Sequence, residues 1–127
     1  YIVCFFIPQK GTKMTLEEFT AKIKTPYNNN DCPVTKVLDL LSGKWTTRII
    51  YELERHENIR FGELKKCMPA ITSAMLSSTL KALESKGIVV RKQFNEIPLR
   101  VEYSLSESGK AMLSIYYEMA IWGEKYL

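Results

Sequence analysis

The chain has 127 residues, 46% of them hydrophobic and 25% charged, with a formal net charge of +4. That length holds one domain with its own core, and that composition belongs to a soluble globular protein rather than a disordered or membrane-embedded one. Three cysteines at 4, 32 and 67 show no CxxC spacing and His56 is the single histidine, so too few N and S ligands are in reach for a zinc site; no metal and no other cofactor is expected.

The opening YIVCFFI is seven apolar residues with no basic region before it, too short for a signal core or a membrane span. An odd number of thiols without a secretory signal fits a reducing cytoplasm. Residues 1–13 differ in character from the rest of the chain. Met14 reads as a natural start with an upstream extension before it; the competing reading is an arm that adds a strand or packs on a partner. Thr15 and Glu18 have the spacing of a capping box and predict a helix to residue 24. PYNNND at 26–31 is turn-rich and reads as a linker.

Cys32-Pro33 opens the main body. Proline suits the first helical position, which puts Cys32 at or near the N-cap of a helix through about residue 41. Ser42-Gly43-Lys44 breaks it, and a second helix over about 45–55 buries Trp45, Ile49, Ile50 and Leu53.

Residues 61–87 read as a short helix, a tight turn at Met68-Pro69-Ala70 and a longer helix closed by Gly87. Phe61, Leu64 and Cys67 form the apolar side of the first; Ile71, Met75, Leu76, Leu80 and Leu83 form that of the second. Thr72 or Ser73 supplies the N-cap. Ala74, Ser77, Ser78, Lys81 and Ser85 turn the other way. They are small, hydroxylic or cationic, and none is a carboxylate. Such a face can lie against a polyanion and offer donors to base edges and phosphates. The charge agrees: residues 60–100 carry eight Lys or Arg against three Glu, a local +5. The pattern is that of a helix-turn-helix; the plainer alternative is a helical hairpin.

After Gly87 the period changes to alternation. Residues 88–94 and 100–105 read as two strands of a hairpin with Pro98 in the connection. Arg91, Lys92 and Arg100 place cations along it, as on the wing of a winged helix; a basic solvated hairpin is the bland reading. Ser106 then caps a last helix over about 107–126. Its apolar residues exceed what one small core covers, and Leu113, Tyr117, Ala120 and Ile121 are left over, which predicts a two-fold partner surface or a ligand pocket lined by Tyr and Trp.

The segments CPVTKVLDLLSGKW, RFGEL, ITSAMLSSTLKALESKGIVVRK, IPLRVEYSLSESGKAM and WGEKY occur in order over 32–126. In these segments the chain resembles the HxlR-type transcriptional regulators, a winged helix-turn-helix group related to MarR-type proteins. The resemblance implies a mostly α fold with a small β-hairpin (α+β), divided into an N-terminal extension with a short helix (1–31) and a winged-helix domain with a C-terminal dimerisation helix (32–127). It implies a cytoplasmic homodimer, paired through its terminal helices, on a pseudo-palindromic operator in double-stranded DNA. The second helix of the motif would enter the major groove through Ser73, Ala74, Ser77, Ser78 and Lys81, with Arg91, Lys92 and Arg100 on the wing. In several family members the cysteine of the opening Cys-Pro senses oxidants or electrophiles. That makes Cys32 the candidate sensor, at a helix N-terminus where the dipole favours thiolate, and Cys67 the candidate resolving thiol. The plain alternative is a capping residue and a core filler.

Other readings are a protein–protein winged-helix module and a regulator answering a small molecule at the dimer interface. An enzyme is not expected, because His56 sits in a charged Arg-His-Glu turn without paired carboxylates or a phosphate-cradling loop.

Overall fold

The computed structural model describes residues 13–26 and 32–127. The expectations for residues 1–12 and for positions 27–31 of the linker lie outside the described residues. The chain divides into two compact units, residues 1–39 and 40–127.

In the first unit, helix α1 (Leu16–Lys24) starts at the predicted capping box. The Thr15 hydroxyl accepts from the Glu18 N–H at 3.1 Å, and the Glu18 carboxylate accepts from the Thr15 N–H at 3.0 Å, so two orphan donors are satisfied reciprocally. None of its residues is buried. Helix α2 (Pro33–Leu41) opens with proline at its first position. The Cys32 carbonyl accepts from the Lys36 N–H at 3.3 Å, which makes Cys32 the N-cap.

The second unit holds α3 (Thr46–Arg55), β1 (Ile59–Arg60), α4 (Phe61–Cys67), α5 (Ser73–Ser85), β2 (Val89–Phe94), β3 (Arg100–Leu105) and α6 (Glu107–Tyr126). The strands form one antiparallel sheet in the order β1-β3-β2. Its core is Ile49, Ile50 and Leu53 of α3, Leu64 of α4, Leu76, Leu80 and Leu83 of α5, Ile59, Val89 and Leu105 of the strands, and Met112 and Tyr116 of α6. Ile71 and Met68 reach the same core from the α4–α5 turn.

Four details depart from the sequence-based expectation. Strand β1 has no counterpart in the sequence reading, because two residues carry no measurable alternation; it exists only by pairing Ile59 with Tyr103 and Arg60 with Glu102. Trp45 is the N-cap of α3 and half-buried rather than a buried helical residue. Ile88 precedes β2 instead of opening it. Met75 is 47% exposed, since at about 100° per residue it falls a quarter-turn away from the Leu76–Leu80–Leu83 stripe.

Helix α5 ends in a left-handed glycine, Gly87 with φ 76°. The Gly87 N–H donates to the Glu84 carbonyl and the Ile88 N–H to the Leu83 carbonyl, both at 3.0 Å. This is a Schellman closure, and the glycine escapes the steric cost of that conformation. The start of α6 is stitched to the same turn. The Ser106 N–H donates to the Ile88 carbonyl at 2.9 Å, and the Ser108 hydroxyl donates to the Gly87 carbonyl at 2.8 Å. Further along α6, the Tyr116 hydroxyl lies 3.3 Å from Thr47 Oγ1 and its ring meets Tyr51 edge-on at 5.2 Å. Burial pushes the Tyr116 phenol above its ordinary value of 10.0, the hydrogen bond with Thr47 opposes this, and Tyr51 adds to the rise.

The crossing of α6 over the turn requires Gly109, whose missing Cβ would land on the Ile88 carbonyl oxygen. Gly109→Ala is expected to lower unfolding free energy by about 1–3 kcal/mol in urea titration. Gly62→Ala, where a Cβ meets nothing within 4 Å, should leave stability unchanged or raise it by up to about 1 kcal/mol.

Candidate nucleic-acid interface

Helix α4, the five-residue turn and α5 form the helix-turn-helix. Thr72 provides the α5 cap, its hydroxyl accepting from the Met75 N–H at 3.1 Å. Leu76, Leu80 and Leu83 are 0%, 1% and 2% exposed, and their burial fixes the rotation of the helix about its axis. Ser73, Ala74, Ser77, Ser78 and Lys81 all emerge on the solvent side. The hydroxyls differ in what they have left to offer. Ser78 already donates to the Met75 carbonyl at 3.1 Å and Thr79 does so at 2.7 Å, so Ser78 presents mainly an acceptor. Ser73 and Ser77 make no side-chain hydrogen bond among the described residues and keep both roles. Met75 adds an exposed apolar flank to the face, a contributor that the helical pattern assigns to the core.

The wing is β2 and β3. Pairing Lys92 with Glu102 and Arg91 with Tyr103 sends the two adjacent cations to opposite faces of the ribbon. Both are exposed. Arg91 reaches Gln93 Oε1 at 3.4 Å, and Lys92 sits 4.9 Å from the centre of the Phe94 ring. Arg100 is differently placed. It stacks on Phe94 at 3.9 Å, with Nη2 3.2 Å from Glu96 and Nε 3.8 Å from Glu102. Two carboxylates and an aromatic face hold this guanidinium within the hairpin.

The remaining sequence-derived candidates lie elsewhere. Cys32 caps α2 and Cys67 ends α4; both are thiols and half-buried. On α6, Leu113 is half-buried while Tyr117, Ala120 and Ile121 are exposed. Beyond Tyr116 no residue of the helix is buried. Ile115, Met119 and Trp122 belong to the uncovered surface as well, although helical spacing allots them to the core stripe. No helix among the described residues is long and apolar enough to cross a membrane.

A sequence profile described as HxlR-like helix-turn-helix matches residues 40–127, from the end of α2 through α6. The chain belongs to the HxlR-like helix-turn-helix family. It is thus a transcriptional regulator of the winged-helix, MarR-related kind, mostly α with a small antiparallel sheet. Among relatives, YdzF of Bacillus subtilis strain 168, described as an uncharacterized HTH-type transcriptional regulator, is 43% identical over 95 residues, covering 75% of this chain and 87% of YdzF. A MarR-family regulator from Porphyromonas gingivalis W83 is 41% identical with a TM-score of 0.69, over 81% of this chain and 100% of that one. The reduced form of the B. subtilis regulator YodB is 34% identical with a TM-score of 0.69, over 75% and 93% of the two chains. The HxlR-like profile covers the helix-turn-helix, the wing and α6 together and stops short of α1, in agreement with the start of the second compact unit.

Because Arg100 is committed to Phe94, Glu96 and Glu102, Arg100→Gln should act on the hairpin before it acts on DNA. Amide exchange over residues 94–100 is expected to speed up several-fold, while the salt dependence of DNA binding changes less than for Lys92→Gln.

Proposed function

We propose that this HxlR-type regulator acts as a homodimer, reading a pseudo-palindromic operator in double-stranded DNA with two copies of α5. The observation that carries this reading is the outer face of α5, small, hydroxylic and free of carboxylate from Ser73 to Lys81, beside a wing with Arg91 and Lys92 exposed. Ser73, Ala74, Ser77, Ser78 and Lys81 are proposed as major-groove residues, with serines able to serve several bases and Lys81 reaching a guanine or a phosphate. Arg91 and Lys92, on opposite ribbon faces, would straddle the backbone beside the minor groove. Arg100 supports them by bracing the hairpin.

The pairing surface is proposed on α6. Tyr117, Met119, Ile121 and Trp122 are 63%, 52%, 46% and 58% exposed. A second copy covering them, with Leu113 and Ala120 at the margin, would remove a large apolar area from water. The two recognition helices would then stand about 34 Å apart, one turn of duplex. In the cell this places the protein with the chromosome, in the cytoplasm.

The candidate signal is oxidation or electrophile attack at Cys32. YodB is known in reduced, diamide-treated and quinone-bound forms, and in this chain Cys32 is the N-cap of α2, where the positive end of the helix dipole favours thiolate. With Cys67 as resolving thiol, two thiols would yield two protons and two electrons to the oxidant and form one disulfide, within a chain or across the dimer.

Two experiments test this. Exchanging Lys81, Arg91 and Lys92 together for Gln should weaken duplex binding and reduce the salt slope by up to about 5, since each protomer of the dimer would lose up to three phosphate contacts, with the dimer unchanged in sedimentation. Undiminished affinity would relocate the interface and favour a protein-binding module. Separately, Cys32→Ser should abolish the effect of diamide or quinone on DNA affinity; an unchanged response would remove Cys32 as the sensor.

A further inference from the structure

Beyond DNA reading and thiol switching, the structure brings together three side chains that lie apart in the sequence. Glu52 of α3, His56 at its C-cap and Cys67 at the end of α4 place a carboxylate oxygen, an imidazole nitrogen and a thiol sulfur all within 4.8 Å of one another. We propose that this triad is a binding site for a divalent transition-metal ion of the zinc class.

The donor set suits that ion. Carboxylate, imidazole and thiolate are all established zinc ligands, and three protein ligands leave one position for water. Bonds of roughly 2.0–2.3 Å set tetrahedral donors about 3.3–3.8 Å apart, so closure asks for about an ångström of side-chain movement. A bound divalent ion would take Cys67 as thiolate and His56 as neutral imidazole; with Glu52 they supply two negative charges, which the ion would share with Arg48 and Arg55.

Two further observations point to the same spot. Glu52 is 2% exposed on the stripe that also buries Ile49, Ile50 and Leu53. Its Oε1 is 2.9 Å from Arg48 and 3.7 Å from Arg55, yet both arginine side chains are mostly exposed, at 54% and 68%. Ion pairs with exposed arginines form equally well on an outer face, so they do not explain why a carboxylate is sunk into the core. Secondly, α3 and α4 both end at the cluster, and the C-terminal carbonyls of a helix favour a nearby cation. The expectation that no zinc site exists rests on too few N and S ligands and on the lack of CxxC spacing; this site has one of each, and folding joins positions 52, 56 and 67 so that a carboxylate serves as the third ligand. An ion there would tie the end of α3 to the end of α4, where the turn into α5 begins.

The test uses the full reduced chain carrying Cys4→Ser and Cys32→Ser, so that only Cys67 offers a thiol. Competition against a chromophoric chelator should show one Zn2+ per chain, and Co2+ should give a thiolate-to-metal charge-transfer band. Cys67→Ser should abolish the band, and His56→Gln and Glu52→Gln should each weaken binding by at least about tenfold. Zn2+ should also slow alkylation of Cys67 by iodoacetamide. His56 lies outside the helices, so His56→Gln reports on the site even if Glu52→Gln impairs folding, which circular dichroism would reveal. Absence of Zn2+ binding, or binding that survives both Cys67→Ser and His56→Gln, would overturn the proposal.

Discussion

The burial of Leu76, Leu80 and Leu83 against the α3, α4 and strand core is the contact on which the rest of the molecule depends. A helix of 13 residues has little stability of its own in water, and three leucines on one face both hold it and set its rotation. Once that face is down, Ser73, Ala74, Ser77, Ser78 and Lys81 have no orientation except outward. The same leucines that stabilise the domain aim the polar face at solvent.

The surrounding elements make that aim rigid. Thr72 and Gly87 close the two ends of α5, one with a hydroxyl, the other with a left-handed turn. That turn feeds directly into β2, and the first turn of α6 hydrogen-bonds back to its carbonyls. Helix α5, the wing and α6 therefore meet at residues 87–88 and 105–109. Displacing α6 on this frame would be felt at the wing and at α5 within a few residues.

Much of this is legible in the sequence because its causes are local. The Thr15–Glu18 box, Pro33, Thr72, Gly87 and Ser106 mark helix ends by chemistry that acts within four residues, and the change from helical to alternating period marks the wing. The features that escape a sequence reading have causes that lie far apart in the chain. Strand β1 is created by its partner β3. Arg100 looks like one more wing cation until Glu96, Glu102 and Phe94 are seen around it. Met75 sits at the edge of the helical pattern, where a quarter-turn decides exposure. Glu52 gives no sign of burial, and nothing in the spacing of His56 and Cys67 suggests that their donor atoms meet. The surplus of apolar residues on α6 is visible but its extent is larger than the spacing indicates, since the pattern cannot tell where the core stops beneath a long helix.

Two exposed surfaces carry the proposed function: the outer face of α5, proposed to meet DNA, and the far half of α6, proposed to meet a second copy. Photo-crosslinking tests both at once. A photoreactive amino acid placed at Ser78 or at Ile121 would be irradiated in the presence of duplexes selected by the protein from a random pool. Protein–DNA adducts are predicted from Ser78 and protein–protein adducts from Ile121. Adducts to DNA from Ile121, or to protein alone from Ser78, would contradict that arrangement.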